Sequence, residues 1–169
     1  YDAAGNTVGD EFQVIATGLF MPSVTALDGG GFVIARQSYK DVYAQIYDAD
    51  GNRVGAEFQV NAYTFGSQMK PAITALDSGG FVITWESSVS YDSSYNGIYA
   101  QRYDATGDTV GDKLLVNTKN YQDTDITALS DGGFIIIWSK GYWGTYAQRY
   151  DSKGDKVGDA FLVKTATTN

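Results

Sequence analysis

The chain has 169 residues, with 12 Lys and Arg against 20 Asp and Glu, for a formal net charge of −8. It contains no Cys and no His, which excludes disulfides, thiol nucleophiles, zinc fingers, haem ligation and His-based catalytic triads. The acidic balance argues against nucleic acid as a partner, and no apolar run is long enough for membrane insertion. The length suits one domain.

The acidic residues are mostly aspartates, and the chain holds 20 Gly but only 2 Pro. Glutamate occurs only at Glu11, Glu57 and Glu86. Because Asp favours turns and Glu favours helices, this imbalance predicts many turns and little helix.

Self-comparison reveals a repeated unit of about 50 residues. Each unit begins with Tyr-Asp and a Gly-centred turn, written YDAAGN, YDADGN, YDATGD and YDSKGD along the chain. We expect one repeat domain over residues 1–169, with an outer strand at 11–15 followed by repeats at about 22–62, 71–117 and 125–169.

Each repeat contains four predicted strands. In chain order these are VTAL or ITAL, then GFVIA, GFVIT or GFIII, then YAQIYD or YAQRYD, and finally EFQV, KLLV or AFLV. YAQRYD alternates with a period of two, whereas GFVITW and GFIIIW are nearly continuous apolar runs, typical of strands covered on both faces. Asp-Gly and Ser-Gly turns separate the strands, so the sequence predicts an all-β fold.

Four antiparallel strands per repeat are typical of β-propeller blades, with ITAL innermost and EFQV outermost. Three blades are too few for a normal ring, so a homodimer completing a six-bladed ring is one expectation and membership of a larger ring is the other. The alternative fold is a β-trefoil or β-prism with threefold pseudo-symmetry.

The pattern DGGFVITW…YAQRYDADGN..VG.EFQVN resembles tandem repeats of large secreted bacterial proteins that are RTX-associated and adhesin-like. The resemblance covers the whole chain and implies secretion or surface display, with propeller-like repeats. Two departures matter. The GGxGxDxUx calcium nonapeptide is absent, and the first repeat has Arg36 and Ile46 where the others have Trp and Arg.

One Tyr-Asp turn is a candidate calcium site. Asp48, Asp50 and Asn52 stand at alternate positions with Glu57 downstream, loosely like the first ligands of an EF-hand loop. Lys153 takes the second of these positions in the last repeat, which disfavours a cation there. The alternative is an Asx-type turn in which Asp accepts backbone N–H groups. No other cofactor is expected.

Aromatic residues in the longer connections are candidate contacts for a glycan or a cell-surface polymer. They are Tyr91 and Tyr95 in the tract 87–97, and Tyr142 and Trp143 in the Gly-flanked turn KGYWG. Trp85 and Trp138 end apolar strands, so we expect them to pack between sheets. Gln45, Gln101 and Gln148 are expected to bond backbone within the sheets.

Catalysis is not expected, because almost every acid lies in a turn that recurs in each repeat, whereas an active site is a unique constellation. The sialidase Asp-box is also absent, since the spacing from Asp131 to Trp138 in SDGGFIIIW is too long for it. Together with the resemblance, which implies secretion and adhesion, this predicts a non-enzymatic, secreted or surface module for adhesion or display. A lectin-like carbohydrate-binding domain and a calcium-stabilised structural module are the alternatives.

Overall fold

The computed structural model describes residues 4, 20–89, 95–118, 122–140 and 144–164. Within these ranges the chain is all-β, and no helix there could cross a membrane. Twelve strands are described: β1 Phe20–Ala26, β2 Phe32–Ser38, β3 Asp41–Tyr47, β4 Arg53–Gln59, β5 Ser67–Ala75, β6 Phe81–Ser88, β7 Gly97–Tyr103, β8 Thr109–Thr118, β9 Gln122–Ala128, β10 Phe134–Ser139, β11 Thr145–Tyr150 and β12 Lys156–Lys164.

The strands form three four-stranded antiparallel sheets, each built from consecutive strands: β1–β4, β5–β8 and β9–β12. In every sheet the strand that ends with the Thr-Ala pair of ITAL lies at one edge, and the strand carrying EFQV, KLLV or AFLV lies at the other. The predicted four strands per repeat and their order are thus confirmed. The predicted outer strand at 11–15 lies outside the described residues.

The edge strands β1, β5 and β9 hold neighbouring sheets together. The Thr25 hydroxyl accepts a hydrogen bond from the Ala75 amide at 3.0 Å, and the Thr74 hydroxyl accepts one from the Ala128 amide at 3.2 Å. Since these residues are equivalent in the repeat, the second sheet meets the third as the first meets the second.

Two apolar clusters fill the spaces between the sheets. One lies between the first and second sheets and includes Trp85, and the other lies between the second and third sheets and includes Trp138. Both tryptophans are buried, so packing between sheets is confirmed for them. Strand β6 is buried on both faces, as its apolar run predicted. Strand β10 alternates buried and half-buried residues, because its sheet ends the stack.

The two ends of the sheets differ in composition. One end, here called the turn face, carries the short turns β1–β2 and β3–β4 and their equivalents. The opposite end, the loop face, carries the β2–β3, β6–β7 and β10–β11 connections and those between sheets. Aspartates concentrate in or beside the tight turns of the turn face: Asp28, Asp48, Asp50, Asp77, Asp104, Asp108, Asp131, Asp151 and Asp155.

Candidate functional site

Aromatic side chains cluster on the loop face near the junction of the first and second sheets. The rings of Tyr63 and Tyr95 stack with centroids 4.3 Å apart, and Phe65 packs against Tyr63 at 5.6 Å. Phe65 is 61% exposed and Tyr95 40%. Exposed aromatic rings concentrated at one place are typical of a binding surface rather than of a core.

A small cavity of about 60 Å³ lies beneath this cluster. That is the space of about two water molecules, so it suits a substituent of a larger ligand rather than a whole sugar ring. Four aromatic side chains line it together with amide, hydroxyl and ammonium groups: Asn61, Tyr63, Gln68, Trp85, Ser87, Tyr95, Tyr99 and Lys113. A mostly apolar wall with a few polar groups is the usual composition of a ligand pocket.

The segment between β4 and β5 is held in place by its own amides. The Asn61 side chain accepts a hydrogen bond from the Val42 amide at 2.7 Å and donates to Asp41 and to the Tyr63 carbonyl. The buried Gln68 donates to the Phe65 carbonyl at 3.3 Å. These bonds fix the backbone on both sides of Tyr63, so its ring is pre-positioned at the cavity.

The deeper wall comes from the second sheet. The rings of Trp85 and Tyr99 lie side by side with centroids 6.0 Å apart, and the Lys113 ammonium lies over the Tyr99 ring at 4.7 Å. The Tyr99 hydroxyl donates to the Tyr95 carbonyl, which ties the loop to the strand. Burial raises the pKa of Tyr99, so this phenol stays neutral over the physiological range. The exposed ammonium supplies the positive charge at the rim.

The candidate calcium turn has the geometry of an Asx turn. The Asp48 carboxylate accepts hydrogen bonds from the amides of Asp50 and Asn52 at 3.0 and 2.8 Å, and from the Asn52 side chain at 3.1 Å. The Asn52 hydrogen bonds and those from backbone amides lower the pKa of Asp48. In the described ranges no three acidic side chains come together as a metal cluster. Calcium at this turn stays a prediction.

A second polar group lies on the loop face, between the second and third sheets. The Lys70 ammonium contacts Asp123 at 2.9 Å and Glu86 at 3.4 Å, and Glu86 accepts a hydrogen bond from the Asp123 amide. Lys70 and Asp123 both have positive φ, and their strands β5 and β9 are bulged there. Burial raises the pKa of Glu86 although Lys70 opposes this. The charged groups of Lys70, Glu86 and Asp123 are thus partnered with one another, which is typical of an ion-pair cluster with a structural role.

Of the predicted glycan contacts, Tyr95 lies at the cavity. Tyr91, Tyr142 and Trp143 lie outside the described residues. Sequence reasoning missed Tyr63, because the sequence of the β4–β5 connection that holds it is not repeated between β8 and β9. It also missed Lys113, which stands in β8 where the first repeat has Glu57.

Comparison with known proteins gives fold information alone. No family model matches the chain, and no curated protein matches it. Among solved structures it is similar to the Hadza microbial sialidase Hz136, with 9% identity and a TM-score of 0.54. The match covers 81% of this chain but only 33% of the sialidase, so the chain spans about a third of that protein. A protein of unknown function from Dyadobacter fermentans is 10% identical over 86% of this chain and 69% of its own length, with a TM-score of 0.40.

Proposed function

We propose that this chain is a non-enzymatic carbohydrate-binding and display module, with its binding site on the loop face. The observation that carries the proposal is the cavity lined by Tyr63, Trp85, Tyr95 and Tyr99. Sugar rings present C–H faces that pack on aromatic rings, and their hydroxyls need polar partners of the kind that Ser87 and Lys113 offer. The cavity takes a ring substituent while the exposed rings of Tyr95 and Phe65 contact the sugar itself.

We further propose that the three sheets are propeller-type blades. Each sheet is a simple four-stranded meander with its first strand at the inner edge, where β1, β5 and β9 meet. The similarity to part of a sialidase, a propeller enzyme, supports this proposal. A trefoil or a prism would need the third sheet to pack on the first, whereas the extensive contacts here join first to second and second to third.

The proposed setting is a secreted or surface-displayed bacterial protein, as the repeat resemblance implies. The sheets form the scaffold and the loop-face connections vary between repeats, so recognition can change without altering the core. We also propose that the chain does not catalyse a reaction. The buried carboxylate of Glu86 faces Lys70 and the Asp123 amide, a partnering that supports a structural role for this acid.

Carbohydrate binding is tested with a glycan array followed by fluorescence titration. Trp85 lines the cavity, so a bound glycan should change tryptophan emission in a saturable manner. We expect Tyr63→Ala and Tyr95→Ala each to weaken binding about tenfold or more, equivalent to about 1.4 kcal/mol.

The matched control is Tyr39→Ala. Tyr39 is an aromatic residue of the loop face that is 83% exposed and does not line the cavity. Binding should stay unchanged in this variant. An array without a positive glycan would contradict the proposal, and so would equal losses in all three variants.

A further inference from the structure

The stack of three sheets has two end surfaces that repeat the pattern of its internal interfaces. We call the side of a sheet that faces the preceding sheet its leading side, and the other its trailing side. Ile73 and Ile126, on the leading sides of the second and third sheets, are each 7% exposed, whereas the equivalent Val24 of the first sheet is 63% exposed. The first sheet thus presents apolar surface where the others are covered.

The trailing side of the third sheet is open in the same manner. Val163 is 56% exposed, whereas its equivalents Val60 and Val116 are 7% and 5% exposed between the sheets. Phe161 is 50% exposed, although its equivalent Phe58 packs on the Tyr103 ring at 5.3 Å. These exposures show what the end surface would bury if a leading side covered it.

The polar contacts also repeat. Thr127 is exposed on β9, and its equivalents Thr25 and Thr74 each accept an amide hydrogen from the next sheet. The donors of these hydrogen bonds are the amides of Ala75 and Ala128. Their equivalent on the first sheet is Ala26, which is also exposed. A leading side docked on the third sheet would therefore bring the Ala26 amide to the Thr127 hydroxyl.

Charge complementarity points to the same pairing. In the internal interface between the second and third sheets, the Arg102 guanidinium donates to the Lys153 carbonyl in the Tyr-Asp turn. The equivalent of Arg102 on the third sheet is Arg149, whose side chain is 45% exposed and pairs with Asp131. The equivalent of Lys153 on the first sheet is Asp50. A leading side docked on the third sheet would thus bring the turn that holds Asp50 to the exposed Arg149 guanidinium.

We infer that the leading side of the first sheet binds the trailing side of the third sheet in a second copy of this chain. The contact is head-to-tail and each copy has one of each surface, so two copies can satisfy all four surfaces in a closed ring. Propellers have about four to eight blades, and six is the multiple of three in that range. The assembly is therefore a two-chain ring of six sheets.

Sedimentation velocity of the intact chain tests the stoichiometry. The expected particle has twice the chain mass of 18.3 kDa at micromolar concentration. Val163→Glu should halve the mass by placing a charge in the contact. Leu162→Glu is the matched control, because Leu162 is 43% exposed and its equivalent Leu115 stays 43% exposed beside an internal interface. A monomeric wild-type chain, a ladder of larger species, or equal effects of both variants would overturn the inference.

Disulfide trapping tests which surfaces meet, and the chain has no cysteine to interfere. Ala26→Cys with Thr127→Cys should give a covalent dimer on a non-reducing gel. Thr25→Cys with Ala75→Cys is the positive control, since these residues are in contact within one chain and should give an internal disulfide in a monomer band. The assignment of surfaces would be overturned if the chain is a dimer in solution and the control pair oxidises, but the first pair gives no covalent dimer.

Discussion

At the scale of single residues, one glutamine per repeat stabilises a bulge between the third and fourth strands. The side-chain amides of Gln45, Gln101 and Gln148 each donate to the carbonyl of the following residue and to a carbonyl of the bulged fourth strand. That strand turns through a glycine with φ of 68–69°, a backbone conformation that favours glycine. The expectation that these glutamines bond backbone is confirmed.

Replacing Gln101 by Leu should lower the free energy of unfolding by about 1–3 kcal/mol, because the carbonyls of Arg102 and Gly111 lose a buried donor. Urea denaturation with an unchanged m-value measures the effect. Gln59→Leu is the control, since Gln59 is exposed on β4. Equal losses in both variants would show that the hydrogen bonds do not matter.

Another residue-scale feature is a pair of positions whose residues differ together between the first and second repeats. In the second sheet Trp85 lies beside Tyr99, and Lys113 covers the tyrosine ring. In the first sheet Arg36 takes the tryptophan position and lies over the Tyr43 ring. Glu57 takes the position of Lys113, and a bidentate ion pair at 2.7 Å joins it to Arg36. The sequence shows Arg36 as a departure from the repeat, but the compensating acid becomes apparent only from the geometry.

Calcium at the Asp48 turn is tested by thermal unfolding with calcium and with chelator. A calcium site would stabilise the fold by about 2.7 kcal/mol at a hundredfold saturation, which an Asp48→Asn variant should abolish. The hydrogen bonds that already occupy Asp48 lead us to expect equal melting temperatures in the two conditions. A melting temperature that rises with calcium in the wild type and not in the variant would establish the site.

At the scale of elements, the tight turns couple stability to pH. Asp48, Asp104 and Asp151 each accept hydrogen bonds within their turn, and these hydrogen bonds lower the pKa of all three carboxyls. The largest contribution comes from the Asn52 side chain at Asp48, the Thr106 side chain at Asp104 and the Asp155 amide at Asp151. The Asp131 carboxyl accepts the Gly133 amide and pairs with Arg149, which also lowers its pKa. A carboxyl whose pKa is lower in the folded state binds its proton less readily there than in the unfolded chain.

These carboxyls should therefore stabilise the fold above their unfolded pKa, near 3.8, and lose that contribution as the pH falls through the lower folded values. Glu86 acts in the opposite direction, since burial raises its pKa. We expect the melting temperature to fall as the pH drops below about 4.

A triple variant with Asn at Asp48, Asp104 and Asp151 should show a flatter pH profile. The control replaces Asp112, Asp125 and Asp159, which removes the same charge from outside the turns. Parallel profiles for the two triple variants would contradict the assignment to the turns.

Also at this scale, the strands and turns could be predicted because each follows local rules. Alternation in YAQRYD, continuous apolar runs and Asp-Gly turns depend on neighbouring residues only. The bulges at Met21, Lys70 and Asp123 could not be predicted, because all three residues have positive φ without being glycine and no local turn motif marks them.

At the scale of the whole molecule, the repeat predicted the number of sheets and their strand order, but it could not predict the cavity. The cavity depends on a connection between sheets, which contributes Asn61 and Tyr63, and on a cation from an outer strand, Lys113. Such residues lie far apart in the chain and carry no common motif. Of the aromatic contacts predicted from the sequence, Tyr95 is the one that the described residues place at the cavity.

The two ends of the sheets differ in net charge. Nine aspartates lie at one end together with Arg53, Arg102, Arg149, Lys153 and Lys156, whereas Lys40, Lys70, Lys113 and Lys140 lie toward the other end together with Asp41, Glu86 and Asp123. The turn face is therefore the more negative end, and it repels an anionic polymer within a Debye length, about 8 Å at physiological salt, more strongly than the loop face does. We expect such a polymer to approach the aromatic end, and added salt should weaken this orientation.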